Sequence, residues 1–523
     1  MSVSLDYKGK CGEGAYGIVY EAKMTTSTDN ETKTQKVAIK RNYGEVDTKG
    51  ISCIREMNFL ATLNHPCIIR LKSISVGDPF EKVKPWTPKP KRQDMKEDTH
   101  HFVMEYSDFE LDRFIETSNN YNQLKTVMCQ LLLGMEFFHS KGIVHRDIKP
   151  PNVLVSMKEN VPYGKFCDFG LSRYNSKYRP STPGTVTSWY RAPEICCEYE
   201  DYGSPSDIWS LGCVFYEMIT SYPFITTKKD SDKKIFNDII KSIPESYTLE
   251  YLQKFITKGK ATFKADIKKK TTSSFEKQFK QSVNVRSFNK KGGTLLQFCD
   301  LLSGMLKLEP SERLTATECI NHSFFDSYKS FYDNMRKTYP PVKTNSCKIK
   351  IIDCDERKYA VNVLFDLFNK RHRHKWYDHH IVFQSLRIFD DYLVEEYGQN
   401  EDFKLSKYDS ELYIYTCIYI MYKYFSTLQE FYSWTSIFPH YIVSLKEKNL
   451  PKIEEFEKYI IRKICKYVVY KPSFLDLLND ENIDRTDDEK LYDVKTFLTN
   501  YGNMGSYEGD IIDLYKNIRS FCY

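Results

Sequence analysis

Two carboxylates, a lysine and an asparagine fall within one short interval of this 523-residue chain. The string HRDIKPPNVL occupies residues 145–154 and CDFG residues 167–170, which sets Asp147, Lys149, Asn152 and Asp168 at short fixed spacings. These residue types suit phosphoryl transfer, a reaction in which the protein contributes mainly positioning and charge neutralisation. Asp147 would accept the proton of an attacking hydroxyl, Lys149 would neutralise the travelling phosphate, and Asn152 with Asp168 would hold Mg2+. A single triplet such as HRD could be an ordinary polar turn. The whole string, followed at this distance by DFG, is a specific signal.

The elements that must position these groups lie on both sides. GEGAYGIVYEA at residues 12–22 carries Gly12, Gly14 and Gly17 as G-x-G-x-x-G, a spacing that lets a hairpin backbone close over phosphates without side-chain clash. Alone it also serves dinucleotide sites and plain turns. Here Val19 and then VAIK at residues 37–40 follow, so the flanking elements read as strands, with Lys40 reaching the α- and β-phosphates. Residues 50–69 place Ile54, Met57, Leu60 and Leu63 at helical spacing, with Arg55 and Glu56 between them. HHFVMEY at residues 100–106 alternates like a strand.

On these strings the chain resembles the eukaryotic protein kinases, and Ile148-Lys149 is similar to the serine/threonine class. The resemblance implies an α+β bilobal fold over residues 1–325, with a β-rich first lobe, an α-rich second lobe, and ATP with Mg2+ as cofactors. It implies that Gly12, Gly14, Gly17, Val19, Ala38 and Lys40 line the nucleotide, that Glu56 pairs with Lys40, and that Met104 is the gatekeeper. The backbone from Glu105 to Ser107 would then be the hinge that meets adenine. SCIRE at residues 52–56 is similar to the helix signature of cyclin-dependent kinases, with Gly50 where that family usually has proline. Docking of a cyclin on that helix is implied to turn Glu56 toward Lys40. Tyr16 matches the family's inhibitory tyrosine, while Ala15 removes the threonine beside it.

WYRAPE at residues 189–194, with Arg191, is similar to the group of cyclin-dependent and mitogen-activated kinases, which select proline after the target Ser or Thr. Protein substrates with Ser/Thr-Pro sites are the implied partners. Counting back from Glu194 in that register puts the activating threonine at Thr182. Arg55, Arg146 and Arg173 would surround its phosphate through charge-assisted hydrogen bonds. Arg313 would pair with Glu194 as architecture.

Two stretches read as surface insertions, about 76–99 with its four prolines and about 226–292. Within the second, residues 251–291 hold about a dozen basic residues against two acidic ones, which reads as a solvated, partly disordered segment or as an electrostatic site for an acidic partner. Aromatic residues are too sparse there for base stacking, so nucleic acid is not implied.

Residues 326–353, with Pro340 and Pro341, read as a linker, and residues 354–523 as an all-α module. Helices are expected from Arg357, Gln384, Glu411 and Glu454, the third apolar on every side as a central helix would be. Their order and spacing resemble a cyclin box, with Arg357, Asp390, Leu412, Lys423 and Glu457 in that family's register. The resemblance implies that Lys423 and Glu457 contact the kinase and that the others stabilise the fold. RHRHKWYDHH at residues 371–380 has no cysteine or second carboxylate at ligand spacing and reads as an inter-helix loop. A kinase joined to its own cyclin-like module would be activated within one chain, or between two chains in a dimer, because a tether of about 28 residues gives roughly millimolar effective concentration. A self-sufficient kinase with an adaptor tail stays open. A silent scaffold would need a degraded site, and Lys40, Glu56, Asp147, Asn152 and Asp168 are all in place.

Composition bounds this reading. The net charge of +6, from 76 basic and 70 acidic residues, is too mild to argue for nucleic acid. Fifteen scattered cysteines read as reduced thiols, and Asp6, Lys8 and Lys10 leave no room for a secretory leader. The longest apolar run, residues 412–422, is about half of the roughly 20 residues that a membrane span needs. A soluble cytoplasmic or nuclear protein is expected.

Overall fold

In the second strand, Tyr20, Ala22 and Met24 alternate with polar neighbours, and this period of two turns one face inward onto Val37, Ile39 and Val103. The computed structural model describes residues 2–14, 17–27, 32–42, 56, 59–60, 62–76, 100–118, 120–174, 188–199, 202–226, 231–264, 274–281, 293–340, 348–351, 354–369, 376–400, 402–425 and 507–510. They fall into two compact units, Met1–Val342 and Lys343–Tyr523.

Unit 1 opens with an antiparallel five-stranded sheet built from β1 (Ser2–Gly14), β2 (Gly17–Ser27), β3 (Thr32–Asn42), β4 (Leu71–Val76) and β5 (His100–Glu105), in the order β1-β2-β3-β5-β4. The register sets Gly12 opposite Val19, Ala38 opposite Met104 and Lys40 opposite Phe102. The expected insertion beyond Val76 lies outside the described residues. A three-stranded sheet follows, β6 (Phe109–Glu110), β8 (Val153–Lys158) and β9 (Val161–Phe166), and β7 (Ile143–Val144) pairs with β10 (Arg173–Tyr174).

Helices make up the rest of the unit. After α1 (Leu111–Thr117), α2 (Tyr121–Ser140) starts where the Asn120 side chain accepts the N–H groups of Asn122 and Gln123, the hydrogen bonds of an N-cap. Its middle is buried and largely apolar, with Gln130 and Glu136 the polar exceptions, because α2 runs through the core of the second lobe. Gly134 lets it approach closely, since a Cβ there would lie 3.0 Å from the Cys67 carbonyl oxygen. Next come α3 (Pro193–Cys196), α4 (Ser204–Thr220), α5 (Asp232–Ser242), α6 (Leu249–Lys258), α7 (Phe275–Gln281), α8 (Gly293–Met305), α9 (Ala316–Ile320) and α10 (Lys329–Thr338).

The basic stretch departs from the expected solvated insertion. α6 buries Leu252, Phe255 and Ile256, and α7 buries Phe275 and Phe279. Apolar residues three and four apart share one face of a helix and pack, while the lysines between them point outward. The expected linker also begins later than residue 326, because α10 belongs to unit 1, with Tyr332 buried and Arg336 paired to Glu136.

Unit 2 contains α11 (Asp355–Asn369), α12 (Trp376–Gln399) and α13 (Lys407–Phe425). Two findings differ from the all-α expectation. β11 (Lys348–Ile351) pairs antiparallel with β12 (Tyr507–Asp510), and α12 already begins at Trp376, inside the stretch read as a loop. α13 packs on both other helices, and residues 414–418 are buried in succession. The helix expected from Glu454, and Glu457 with it, lies outside the described residues.

Candidate active site

The catalytic stretch is held from below by one carboxylate. Asp207, at the start of α4, accepts the backbone N–H groups of His145 at 2.7 Å and Arg146 at 2.9 Å, and lies 3.0 Å from His139 Nε2. This grip keeps Arg146 left-handed, at φ +71°, a conformation costly for a residue with a side chain. No local spacing in the sequence links Asp207 to a loop 61 residues away.

On that loop Asp147 is 4% exposed. Its Oδ2 accepts Asn152 Nδ2 at 2.8 Å and pairs with Lys149 Nζ at 2.8 Å, while Asn152 Nδ2 also donates to the Asp147 carbonyl at 2.7 Å. The Cys167 N–H donates to the Asn152 carbonyl at 3.0 Å, which ties the loop to the segment carrying Asp168. Phe169 is buried against His145, ring centroids 4.7 Å apart, and Asp168 itself is left-handed at φ +61°. Phe169 buried inward and a turned backbone together aim the Asp168 carboxylate toward Lys40.

Lys40 Nζ donates to both oxygens of Glu56, at 2.7 Å and 2.6 Å, and to Asp168 Oδ1 at 3.3 Å. Glu56 therefore stands paired with Lys40 in this structure. Burial alone would strip Lys40 of its proton, but Asp168 and then Glu56 hold its pKa far above the ordinary lysine value. Burial, working against Lys40 and joined by Asp168, raises the Glu56 carboxyl. Burial would raise Asp168 as well, yet Lys40 and His145 prevail and keep it below the usual carboxylate value. Asp168 thus retains a negative charge on a side chain that is 25% exposed. A charged carboxylate beside the Asp147–Asn152 pair is a donor set of hard oxygens, which fits Mg2+. Above it, a Cβ on Gly12 would meet nothing within 4 Å, and Gly14 pairs with Gly17 across the hairpin. That open backbone fits the phosphates of a nucleotide.

At the expected hinge Met104 is buried, while Glu105 and Ser107 are half-buried. Glu105 Oε1 accepts the Arg70 N–H at 2.8 Å and its Oε2 pairs with Lys165 at 2.7 Å, a link that sequence spacing did not signal. Val19 and Ala38 are half-buried on β2 and β3.

Of the expected regulatory residues, Arg146 and Arg173 are described. Tyr16, Arg55 and Thr182 lie outside the described residues. Arg173 pairs by backbone with Val144. Arg146 Nε donates to the Tyr202 hydroxyl at 3.1 Å, and its guanidinium carbon is 5.1 Å from that ring's centroid. Arg313 forks onto Glu194 at 2.7 Å and 2.6 Å, both fully buried.

In unit 2, Arg357 Nε donates to Asp390 Oδ1 at 2.5 Å and Nη2 to Oδ2 at 3.3 Å, with both residues buried and Leu412 at 1% exposure. Lys423 belongs to α13. Among the described residues no helix is long and apolar enough to cross a membrane, and the cysteines are free thiols.

The protein kinase domain family matches residues 5–325. The chain is similar to a cell division control protein 2 homolog 1 of Trypanosoma brucei brucei, 31% identical over 60% of this chain and 96% of that protein. It is also similar to cyclin-dependent kinase 11B of Rattus norvegicus, 32% identical over 64% of this chain and 69% of the relative, and to cyclin-dependent kinase G-1 of Oryza sativa subsp. indica, 31% identical over 60% and 41%. With the acid, lysine and asparagine of the loop converging beside the Lys40 pair, the chain belongs to the protein kinase family and is a serine/threonine kinase of cyclin-dependent-kinase-like type that works with ATP and Mg2+.

Proposed function

We propose a proline-directed kinase activated by its own C-terminal unit acting as a cyclin-like module, within one chain or across a dimer. In this reading Asp147 orients the substrate hydroxyl and takes its proton, and Lys149 neutralises the phosphate in transit. Asn152 and Asp168 hold Mg2+, which when bound supplies positive charge against the phosphates. Lys40, kept charged by Glu56, grips the nucleotide phosphates under Gly12, Gly14 and Gly17, and the hinge from Glu105 to Ser107 receives adenine below Met104. Thr182, followed by Pro183, is the regulatory threonine answering to Arg55, Arg146 and Arg173, with Tyr16 as a second control.

The observation that carries the reading of the tail is the Arg357–Asp390 pair. Two positions 33 residues apart, singled out by the cyclin-box register, meet as a buried ion pair between α11 and α12. Lys423 and Glu457 are then the residues that touch the kinase beside its Glu56 helix.

A second reading, a self-sufficient kinase with an adaptor tail, is favoured by one fact: Lys40 and Glu56 pair using residues of unit 1 alone. Phosphate transfer to a Ser-Pro peptide separates the two. The comparison is between the full chain, residues 1–342, and the full chain with Lys423→Ala/Glu457→Ala. Cutting at 342 keeps α10, which an earlier cut would remove. Activity in the full chain with both altered forms silent is the expected result. Equal activity in all three overturns internal activation and leaves the adaptor.

A further inference from the structure

The last helix of unit 1, α10, lies beyond residue 325, where the match to the kinase family ends. Two contacts hold it on the second lobe. Tyr332 is 2% exposed and sets its ring edge-on to Phe325, centroids 6.2 Å apart. Arg336 forks onto Glu136 of α2, with Nε 2.8 Å from Oε2 and Nη2 2.6 Å from Oε1, and the same carboxylate accepts the Thr317 hydroxyl at 2.7 Å. A bidentate guanidinium–carboxylate contact fixes direction as well as position.

So anchored, α10 delivers Tyr339 edge-on to the ring of His65, centroids 5.4 Å apart at 72°. His65 also stacks on Phe137 at 4.8 Å, and its Nδ1 accepts the Cys67 N–H at 3.1 Å. This histidine sits in the turn after the helical residues 56, 59, 60 and 62, here the Glu56 helix, where the Leu63 N–H donates to the Phe59 carbonyl at 2.9 Å. From there the chain joins the catalytic strand directly: Phe166 N–H donates to the Cys67 carbonyl at 3.0 Å and Ile69 N–H to the Phe166 carbonyl at 2.9 Å. Asp168 follows two residues later.

We propose that α10 is a strap and Tyr339 a positioning residue, which through His65 fixes the turn after the Glu56 helix and thereby the alignment of Glu56 with Lys40. The ring makes the contact, so the hydroxyl of Tyr339 is dispensable. Arg336 acts one step further back, by holding the strap in place. The need for such a strap follows from geometry, because a charge-assisted pair at 2.6 Å loses its alignment when one end of the helix shifts by about an ångström, and displacements of that size cost up to about a hundredfold in rate. The inference rests on the kinase reaction alone and is indifferent to what unit 2 does.

The test uses the full chain as wild type, Tyr339→Ala, Tyr339→Phe and Arg336→Gln. It measures phosphate transfer at saturating ATP and segment-resolved amide hydrogen exchange. Tyr339→Ala should lower kcat by about tenfold or more with the peptide KM unchanged, and should speed exchange at residues 59–69 while α2 and α4 keep wild-type protection. Tyr339→Phe should match wild type, and Arg336→Gln should follow Tyr339→Ala. Wild-type kcat in Tyr339→Ala overturns the proposal. So does exchange that quickens evenly across unit 1, since that marks a general loss of stability. Tyr339 is only half-buried, so its alanine variant decides the matter even if Arg336→Gln fails to fold.

Discussion

Lys40 with Glu56 in unit 1 and Arg357 with Asp390 in unit 2 are both buried pairs of a cation and a carboxylate, and they differ in what surrounds them. Around Lys40 there is a second carboxylate, Asp168, with a quarter of its side chain exposed, and the residues that aim the neighbouring groups, Arg146 and Asp168, hold left-handed backbone. The side chains of Arg357 and Asp390 are 2% and 1% exposed. A cluster that combines surplus charge, an opening and local strain is arranged to bind and react. A sealed pair determines how two helices meet, and removing one partner takes from the other charge its counter-ion on the facing helix.

The comparison breaks if the two sites answer alike to mutation. Asp147→Asn, at the open site, keeps the shape of the loop and removes the base. It should cut kcat by about 10²–10⁴-fold, read in single-turnover phosphate transfer, with the urea midpoint of unit 1 nearly unchanged. A large stability loss with modest loss of rate would make Asp147 architecture. Arg357→Leu should do the reverse, costing unit 2 about 3–5 kcal/mol in urea unfolding. The double variant Arg357→Leu/Asp390→Leu should recover most of that, since both charges of the pair are then removed together; a double variant as unstable as the single one would assign the pair a different role.

His65 sharpens the contrast, because it is a buried ionisable group whose ring is held by aromatic faces. Burial, with the nearby Lys165 charge, lowers its pKa from 6.5 to about 4. A base depressed in the folded state favours the neutral form. Its contribution is therefore complete above pH 6.5 and is lost as the pH falls through 6.5 toward about 4. The loss amounts to about 3 kcal/mol. His65→Phe should flatten the acid limb of unit 1 stability over that window in urea midpoints recorded against pH. An unchanged limb would show that carboxylates carry it.

How much of this was legible before folding depended on locality. Asp147, Lys149, Asn152 and Asp168 could be read because the reaction needs those groups within a few residues of one another on one loop and its neighbour. The apolar periodicity behind α11, α12 and α13 could be read for the same reason, since a helix face repeats every three to four residues. Counting charge over residues 251–291 missed α6 and α7, because a dozen basic side chains outweighed the few buried phenylalanines that hold those helices in place. β11 and the helical turns of α10 lay in residues 326–353, whose prolines and lysines resembled a linker, and β12 lay within the residues read as an all-α module.

From the sequence alone came the candidate groups for the chemistry, the two-part organisation, and the likeness to a kinase and a cyclin box. Only the tertiary structure decided which distant groups steady them: Asp207 under the catalytic loop, Tyr202 on Arg146, Lys165 on Glu105 and Tyr339 on His65. The physical reason is that a motif constrains residues along the chain. A hydrogen bond or a ring contact between segments 56 to 274 residues apart depends on packing, and packing leaves no fixed spacing to read.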